Sequence, residues 1–406
     1  MHARALMWHT EIENVEQRGA EGREPNRTRT GSKEDDMGHR SALLVATLVF
    51  LTTAVTPAEA VDVIAPLERQ PPPVATLFRP TEQAVAVRVV DQRAEKNLIG
   101  GGVMGPGVEK GSGIYLIYAT ETSGEIAAHF EAAAADAVKI LGFKAGDGGL
   151  TLEIVLRDLW VDMYRMSGFG MMNCIAYLSL QTKLGGPEVP EPRVRDLRLT
   201  FWEDTVPVGS MKEVAKGAVS AIYSQAAWQA VAEAILDGRD LPADEEGFAR
   251  VLAQLDSSKD EVAVRKAIFW LGIARHPSPA VKEKLLAILG SSKERRHHQA
   301  ASEALGLLGV QEAAPRIQAI LSGQEKGDWD VTDSEQVWYL LHGLALLGEK
   351  DLSSRIPADP KNEIKPRSKI DDLLSFHAGG PAPKMCVEAK EKLAKAKEKL
   401  ATKIRD

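Results

Sequence analysis

Three groups of residues have types and spacings that could do chemistry. Gly100-Gly101-Gly102-Val103-Met104-Gly105 satisfies G-x-G-x-x-G after a strand-like run, the spacing that brings backbone amides up to a pyrophosphate. The chemistry also needs a helix N-terminus at that point, and Pro106-Gly107 and Gly111-Ser112-Gly113 stop one from starting. The expectation is therefore a flexible surface loop and no cofactor. Glu294-Arg295-Arg296-His297 has the Glu-x-x-His spacing of carboxylate-bridged metal sites, but the second copy and the facing glutamates are missing from the sequence. His297 and the adjacent His298 point about 100° apart on a helix, so no metal site is expected. Ser210 and Ser220 are possible nucleophiles with no readable His and Asp arrangement, and no nucleophile elbow, His-Glu-x-x-His, Cys-x-x-Cys or phosphate loop occurs.

The third group comes from internal repetition. Phe269-Trp270-Leu271-Gly272-Ile273-Ala274 aligns with Glu303-Ala304-Leu305-Gly306-Leu307-Leu308 and with His342-Gly343-Leu344-Ala345-Leu346-Leu347, at spacings of 34 and 39 residues. The five extra positions fall in Lys326 to Asp333, a polar stretch that suits a longer loop. With Leu271, Leu305 and Leu344 as the buried reference, three columns point away from it: Arg265, Gln299 and Trp338; Lys266 and Tyr339, with Ala300 between; Phe269, Glu303 and His342. Aromatic and arginine side chains on such a face make good anchors for a protein partner. Two readings stand, ligand contact or packing of Trp338 and Phe269 under neighbouring helices or the C-terminal segment.

The elements that would position these residues divide the 406-residue chain. Residues 1–36 are polar and precede Met37, the expected true start. Ala42 to Val55 is an apolar run of 14, too short for a comfortable membrane span, followed by Ala58-Glu59-Ala60, so residues 37–60 read as a cleaved signal peptide. No cysteine stands near the cleavage point to take a lipid, and a soluble periplasmic or secreted protein is expected. Gln70-Pro71-Pro72-Pro73 marks residues 61–82 as a linker. From 83 to 240 the periodicity runs strand, helix (Glu125 to Leu141, with Gly142 at its C-cap), three strands, helix (Lys212 to Leu236). Short turns between the three strands imply an antiparallel meander with helices on one face. Residues 241–357 hold three helix pairs, 358–384 read as a linker, and 385–406 as a narrowly amphipathic last helix.

The net charge of −7 is spread along the chain, with no dense basic segment before the last twenty residues, which excludes a phosphate-tracking nucleic-acid surface. Cys174 and Cys386 are the two cysteines. Cys174 falls on the core-facing parity of its strand, as a buried thiol or as half of a bridge to Cys386 in an oxidising compartment.

Val90-Asp91-Gln92-Arg93, Ile99-Gly100, Ala137-Val138-Lys139-Ile140-Leu141-Gly142-Phe143 and Leu150-Thr151-Leu152-Glu153-Ile154 resemble the YajG-like and ABC-transport auxiliary families of bacterial envelope lipoproteins, without their lipidated cysteine. The repeats, with Val264-Arg265-Lys266-Ala267-Ile268 opening a second helix, resemble HEAT repeats of the lyase-associated type, which implies a binding surface. The expected fold is an α+β domain, an antiparallel sheet with two helices, followed by a short HEAT-like α-solenoid. The expected function is a non-enzymatic scaffold for another protein of the cell envelope. An accessory factor for outer-membrane assembly or envelope transport, acting through the α+β domain, is the alternative, and an unrecognised envelope hydrolase a second. On the scaffold reading, replacing Trp338 and Phe269 by alanine weakens partner capture and leaves the melting temperature nearly unchanged.

Overall fold

In the computed structural model the described residues are 61–64, 67–69, 74, 76–103, 114–118, 125–165, 172–187, 189–205, 211–239, 241–276, 278–291, 295–324, 334–355 and 367–381. The expected signal segment, the expected last helix and Cys386 lie outside them. The architecture is mixed α and β: a sheet followed by a helical C-terminal region.

The strands are β1 (Val61–Ile64), β2 (Ala84–Asp91), β3 (Leu98–Val103), β4 (Ile114–Tyr118), β5 (Lys144–Ala145), β6 (Leu150–Arg165), β7 (Met172–Gly186) and β8 (Val189–Thr205). β6 is the spine of the sheet. β2 pairs in parallel with its first half, Leu150 to Leu156, and β3 in parallel with its second, Val161 to Tyr164. Its other edge carries the expected antiparallel meander β6-β7-β8, with a register shift between Leu156 and Asp158. The parallel pairings were not expected from short-turn topology, because they depend on α1 (Glu125–Ile140) crossing between β4 and β6.

α1 and α2 (Met211–Leu236) pack side by side on the sheet. Gly142 closes α1 at φ +85°, its N–H donating to Lys139 O and that of Phe143 to Val138 O, the left-handed cap expected from its position. Between the two helices a buried polar bridge stands beside the packing of Phe130 on Tyr223: His129 Nε2 lies 3.2 Å from Ser220 O and 3.1 Å from Ser224 Oγ. Cys174 is buried in β7.

Several expectations need correction. The span 61–82 is not a linker: β1 pairs in parallel with β4, and Leu77 and Phe78 are buried. Leu77 N–H donates to Ile140 O, Arg79 N–H to Pro242 O and Asp244 N–H to Leu77 O, so this stretch is a strut between the end of α1 and the first C-terminal helices. The prolines that suggested a linker exclude only a sheet interior. Gly100, Gly101 and Gly102 lie in β3 and not in a loop. A Cβ on Gly100 would come 1.9 Å from Val161 O, so the close approach of β6 requires glycine there. Pro190 and Pro192 sit inside β8, an edge strand where missing donors cost nothing.

The helical region comprises α3 (Glu245–Ser257), α4 (Glu261–Ile273), α5 (Pro279–Ser291), α6 (Arg295–Leu307), α7 (Ala313–Leu321) and α8 (Ser334–Leu346), the three helix pairs read from the repeats. α4 lies beside α6 and α6 beside α8. Small residues at the aligned positions set the spacing: a Cβ on Gly272 would come 2.7 Å from Ala304 Cα, and one on Gly306 2.8 Å from Gly343 O. Trp228 of α2 meets Trp270 of α4 at 5.6 Å, and Phe78 of the strut meets Phe248 of α3 edge-on at 5.9 Å, so the first pair is sealed by the sheet domain.

Residues 358–384 were read as linker, yet Arg367–His377 forms α9, burying Ile370, Leu373, Leu374 and Phe376. Ile370, Leu373 and Phe376 share a helical face, a short signal obscured by flanking Pro, Gly and charge.

Gly100→Ala is expected to lower stability by at least about 1–3 kcal/mol, the usual cost of overpacking, read as a lowered denaturation midpoint.

Candidate functional site

β8 changes character along its length. From Pro190 to Asp196 its side chains are largely exposed and charged, whereas Leu199, Thr200, Phe201 and Trp202 are all buried. Consecutive buried residues in a strand mean that both faces are covered. Leu197, Leu199, Phe201 and Glu203 share the face that carries Arg195, which pairs with Glu233 of α2 at 3.2 Å. Arg198, Thr200 and Trp202 share the other, together with Tyr177 of β7.

The inner stripe of the helical region meets this strand. Arg265 Nη1 of α4 donates to Glu203 Oε2 at 2.9 Å, and the ring of Phe269 stands 6.5 Å from that of Phe201 at 61°. Tyr339 OH of α8 donates to the backbone oxygen of Trp202 at 2.5 Å. Ser302 Oγ donates to Tyr339 O at 3.2 Å, tying α6 to α8 behind the contact. One turn beyond Tyr339, His342 stacks on Trp338 at 4.9 Å and 13°, and its Nδ1 lies 3.3 Å from Glu303 Oε1, near enough for an ion pair but not aligned as a hydrogen bond. The ring of His377 at the end of α9 stands edge-on to His342 at 5.2 Å.

Electrostatics follow from this packing. The carboxylate of Glu203 raises the pKa of Arg265 above its ordinary value, against the opposing effect of burial, so the guanidinium stays charged. Burial, then Glu303, Glu203 and Glu335, push the Tyr339 phenol well up, which keeps it a neutral donor. Burial lowers the Lys266 ammonium. These are the signs of interlocked, mutually neutralised groups.

Six of the eight residues singled out from the repeat columns converge. Arg265, Phe269 and Tyr339 contact β8; Glu303, Trp338 and His342 form the adjoining cluster; Gln299 is buried on α6, and Lys266 is half-buried. They do not form an open stripe. Trp338 is fully buried, and Phe269, Gln299, Glu303 and His342 are nearly so. The face points away from the helices' own core, as the columns require, but the sheet edge and α9 cover it. Phe201, Trp202, Glu203, Phe376 and His377 were missed. The adjacent Phe201-Trp202 pair was the available signal, since two neighbouring large aromatics in a strand imply cover on both sides.

Other candidate chemistry does not assemble among the described residues. No group of three or more His, Cys, Asp and Glu is placed to hold a metal. Glu294 and Ser210 lie outside the described residues. Ser220 is fully buried, with its Oγ accepting from Glu68 N–H, and Ser224 Oγ donates to Ser220 O at 2.8 Å. Burial lowers the pKa of His129. As a neutral ring it bridges α1 and α2, with no exposed hydroxyl to activate.

The Asp91-Gln92-Arg93 signature is also structural. The Arg93 guanidinium takes both Asp91 oxygens, at 2.9 and 2.7 Å, and donates to Leu98 O and Lys96 O, clamping the β2–β3 connection.

Fold and site define a sheet-and-helix protein whose buried polar cluster joins its two parts. Structures with partial similarity include a Xanthomonas campestris protein of the DUF330 family, at TM-score 0.27 and 11% identity over 44% of this chain and 98% of that one. A structure from Acinetobacter baumannii described as a minor lipoprotein gives TM-score 0.20 and 9% identity over 40% and 97%. An uncharacterised protein gives 0.23 and 9% over 39% and 98%. TM-scores this low assign no function. No family model matches the chain, and no curated relative does.

Phe269→Ala and Trp338→Ala are each expected to cost about 3–5 kcal/mol, as for large aromatics deleted from a core. A marked fall in melting temperature reverses the outcome expected from the sequence alone.

Proposed function

We propose that this chain is a non-catalytic accessory component of the bacterial cell envelope, exported by its signal segment and acting through the sheet domain. The reading rests on one observation: the aromatic and charged stripe of the helical region, its best set of partner anchors, is already engaged by β8 and α9. The helical region then serves as a buttress. Its HEAT-like pairing, with glycine or alanine at the close approaches between successive second helices, stiffens that buttress without offering its inner face.

The exposed half of β8 suits side-chain recognition by a partner. Pro190 and Pro192 lack the amide donors that strand addition needs, while Glu191, Arg193 and Asp196 present charges of both signs around Val194, which is 53% exposed. Among the described residues no helix is long and apolar enough to cross a membrane. Arg265 pairs with Glu203 at 2.9 Å and Glu303 lies 3.3 Å from His342, an arrangement that supports a structural role.

The test places a photoreactive residue in cells at Val194 on β8 and, separately, at Glu283 on the exposed side of α5. A discrete envelope adduct from Val194 and none from Glu283 is expected. Adducts from Glu283 alone would return the binding role to the helical array.

A further inference from the structure

α9 is held at few points. Its Phe376 ring stands edge-on to Tyr177 of β7 at 5.6 Å, with the Arg198 guanidinium 5.1 Å from its centre. Arg198 Nη1 also donates to Phe376 O at 3.1 Å and Gly380 O at 2.5 Å, capping the helix C-terminus. The next residue, His377, turns its ring onto His342 of α8, and its Nδ1 is buried without a hydrogen-bond partner among the described residues. An 11-residue helix has little stability of its own in water, so α9 is helical because it is docked.

We infer that α9 is an acid-released latch: protonation of His377 puts a cation against His342 in a part-buried ring pair where its Nδ1 has no acceptor among the described residues, and α9 leaves the sheet and α8. The charged and titratable groups around the pair are few. α8 presents His342 and, further back, Glu335; α6 presents Glu303, 3.3 Å from His342; β8 presents Arg198, itself cationic. The 3-10 turn Leu352–Arg355 adds exposed Arg355, and α9 itself carries Asp371 and Asp372 in its middle turns. Glu303 lies by His342 Nδ1, so the nearest carboxylate is committed to the other ring.

The direction of the pH dependence follows. Burial first, and the neighbouring His342 second, lower His377 from 6.5 to about 4. A folded-state value below the undocked one means that docking is fully stable above 6.5 and weakens as the pH falls toward 4. Release uncovers Tyr177 and Phe376 and the β8 face bearing Thr200 and Trp202, while the remaining contacts of β8 with α4 and α8 stay in place.

Hydrogen exchange of the full chain, corrected for intrinsic rates, reads the latch directly. Between about pH 7.5 and about pH 4.5, protection in residues 367–377 is expected to fall at least about tenfold while that of β6 and β7 is retained. His377→Phe, which keeps an aromatic edge against His342 and cannot be protonated, is expected to hold its protection at the lower pH. If the phenyl ring fails to dock at the higher pH, His377→Gln takes its place with the same expectation. Unchanged protection of the wild type, parallel loss in β6 and β7, or an equal loss in the docked variant would each overturn the latch.

Discussion

Everything in the C-terminal region depends on how edge strand β8 is covered. A strand at a sheet edge presents unpaired backbone groups and two side-chain faces, and β8 meets this problem differently in its two halves. Its first half uses Pro190, Pro192 and alternating charges, which discourage pairing without any cover. Its second half carries Phe201 and Trp202, too apolar to be left in water, and is enclosed by α4, α8 and α9. The Tyr339 hydroxyl supplies a donor to the Trp202 carbonyl, and Glu203 anchors Arg265. The helices are therefore placed by what one strand requires.

That placement makes polar groups unavoidable at an otherwise apolar junction. Burying Arg265, Glu203, Glu303 and His342 costs desolvation, offset only where partners are in reach. Paired charges at such a junction add orientation more than attraction: an apolar face could slide along β8, whereas a guanidinium fixed on Glu203 sets one register for α4. The small residues behind it matter for the same reason. Gly272 against Ala304, and Gly306 against Gly343, let three successive helices approach closely enough that Arg265, Tyr339 and His342 reach a single strand and helix from different turns.

At the other side of the molecule the stretch before β2 performs a comparable task. Leu77 and Phe78 fill space between α1 and α3, the backbone of Leu77 bonds to Ile140 and Asp244 and that of Arg79 to Pro242, and Arg69 holds Asp136 through a bidentate pair that begins at 2.6 Å. The sheet domain and the helices thus meet at the strut and at the β8 cover, as well as where Trp228 packs on Trp270, and deleting the helical region would expose apolar surface at each.

The local code was legible in the sequence. Alternation in Leu150 to Leu156, the helical face of Ile126, Phe130 and Val138 with Gly142 at its end, and the repeat of Leu271, Leu305 and Leu344 each specify an element and its buried side, because period and capping act over a few residues. The outward columns from Arg265 to His342 were also correctly gathered on one face. What covers a face is a long-range matter: it depends on Phe201, Trp202 and Phe376, 68 to 199 positions from the residues they meet, and no local period reports such contacts. Tertiary structure alone decided that Trp338 is core, that Gly100 yields to the backbone of β6, and that Leu77 and Phe78 tie two regions together. In each case burial is a property of the partner brought opposite, and the chain must fold before that partner exists.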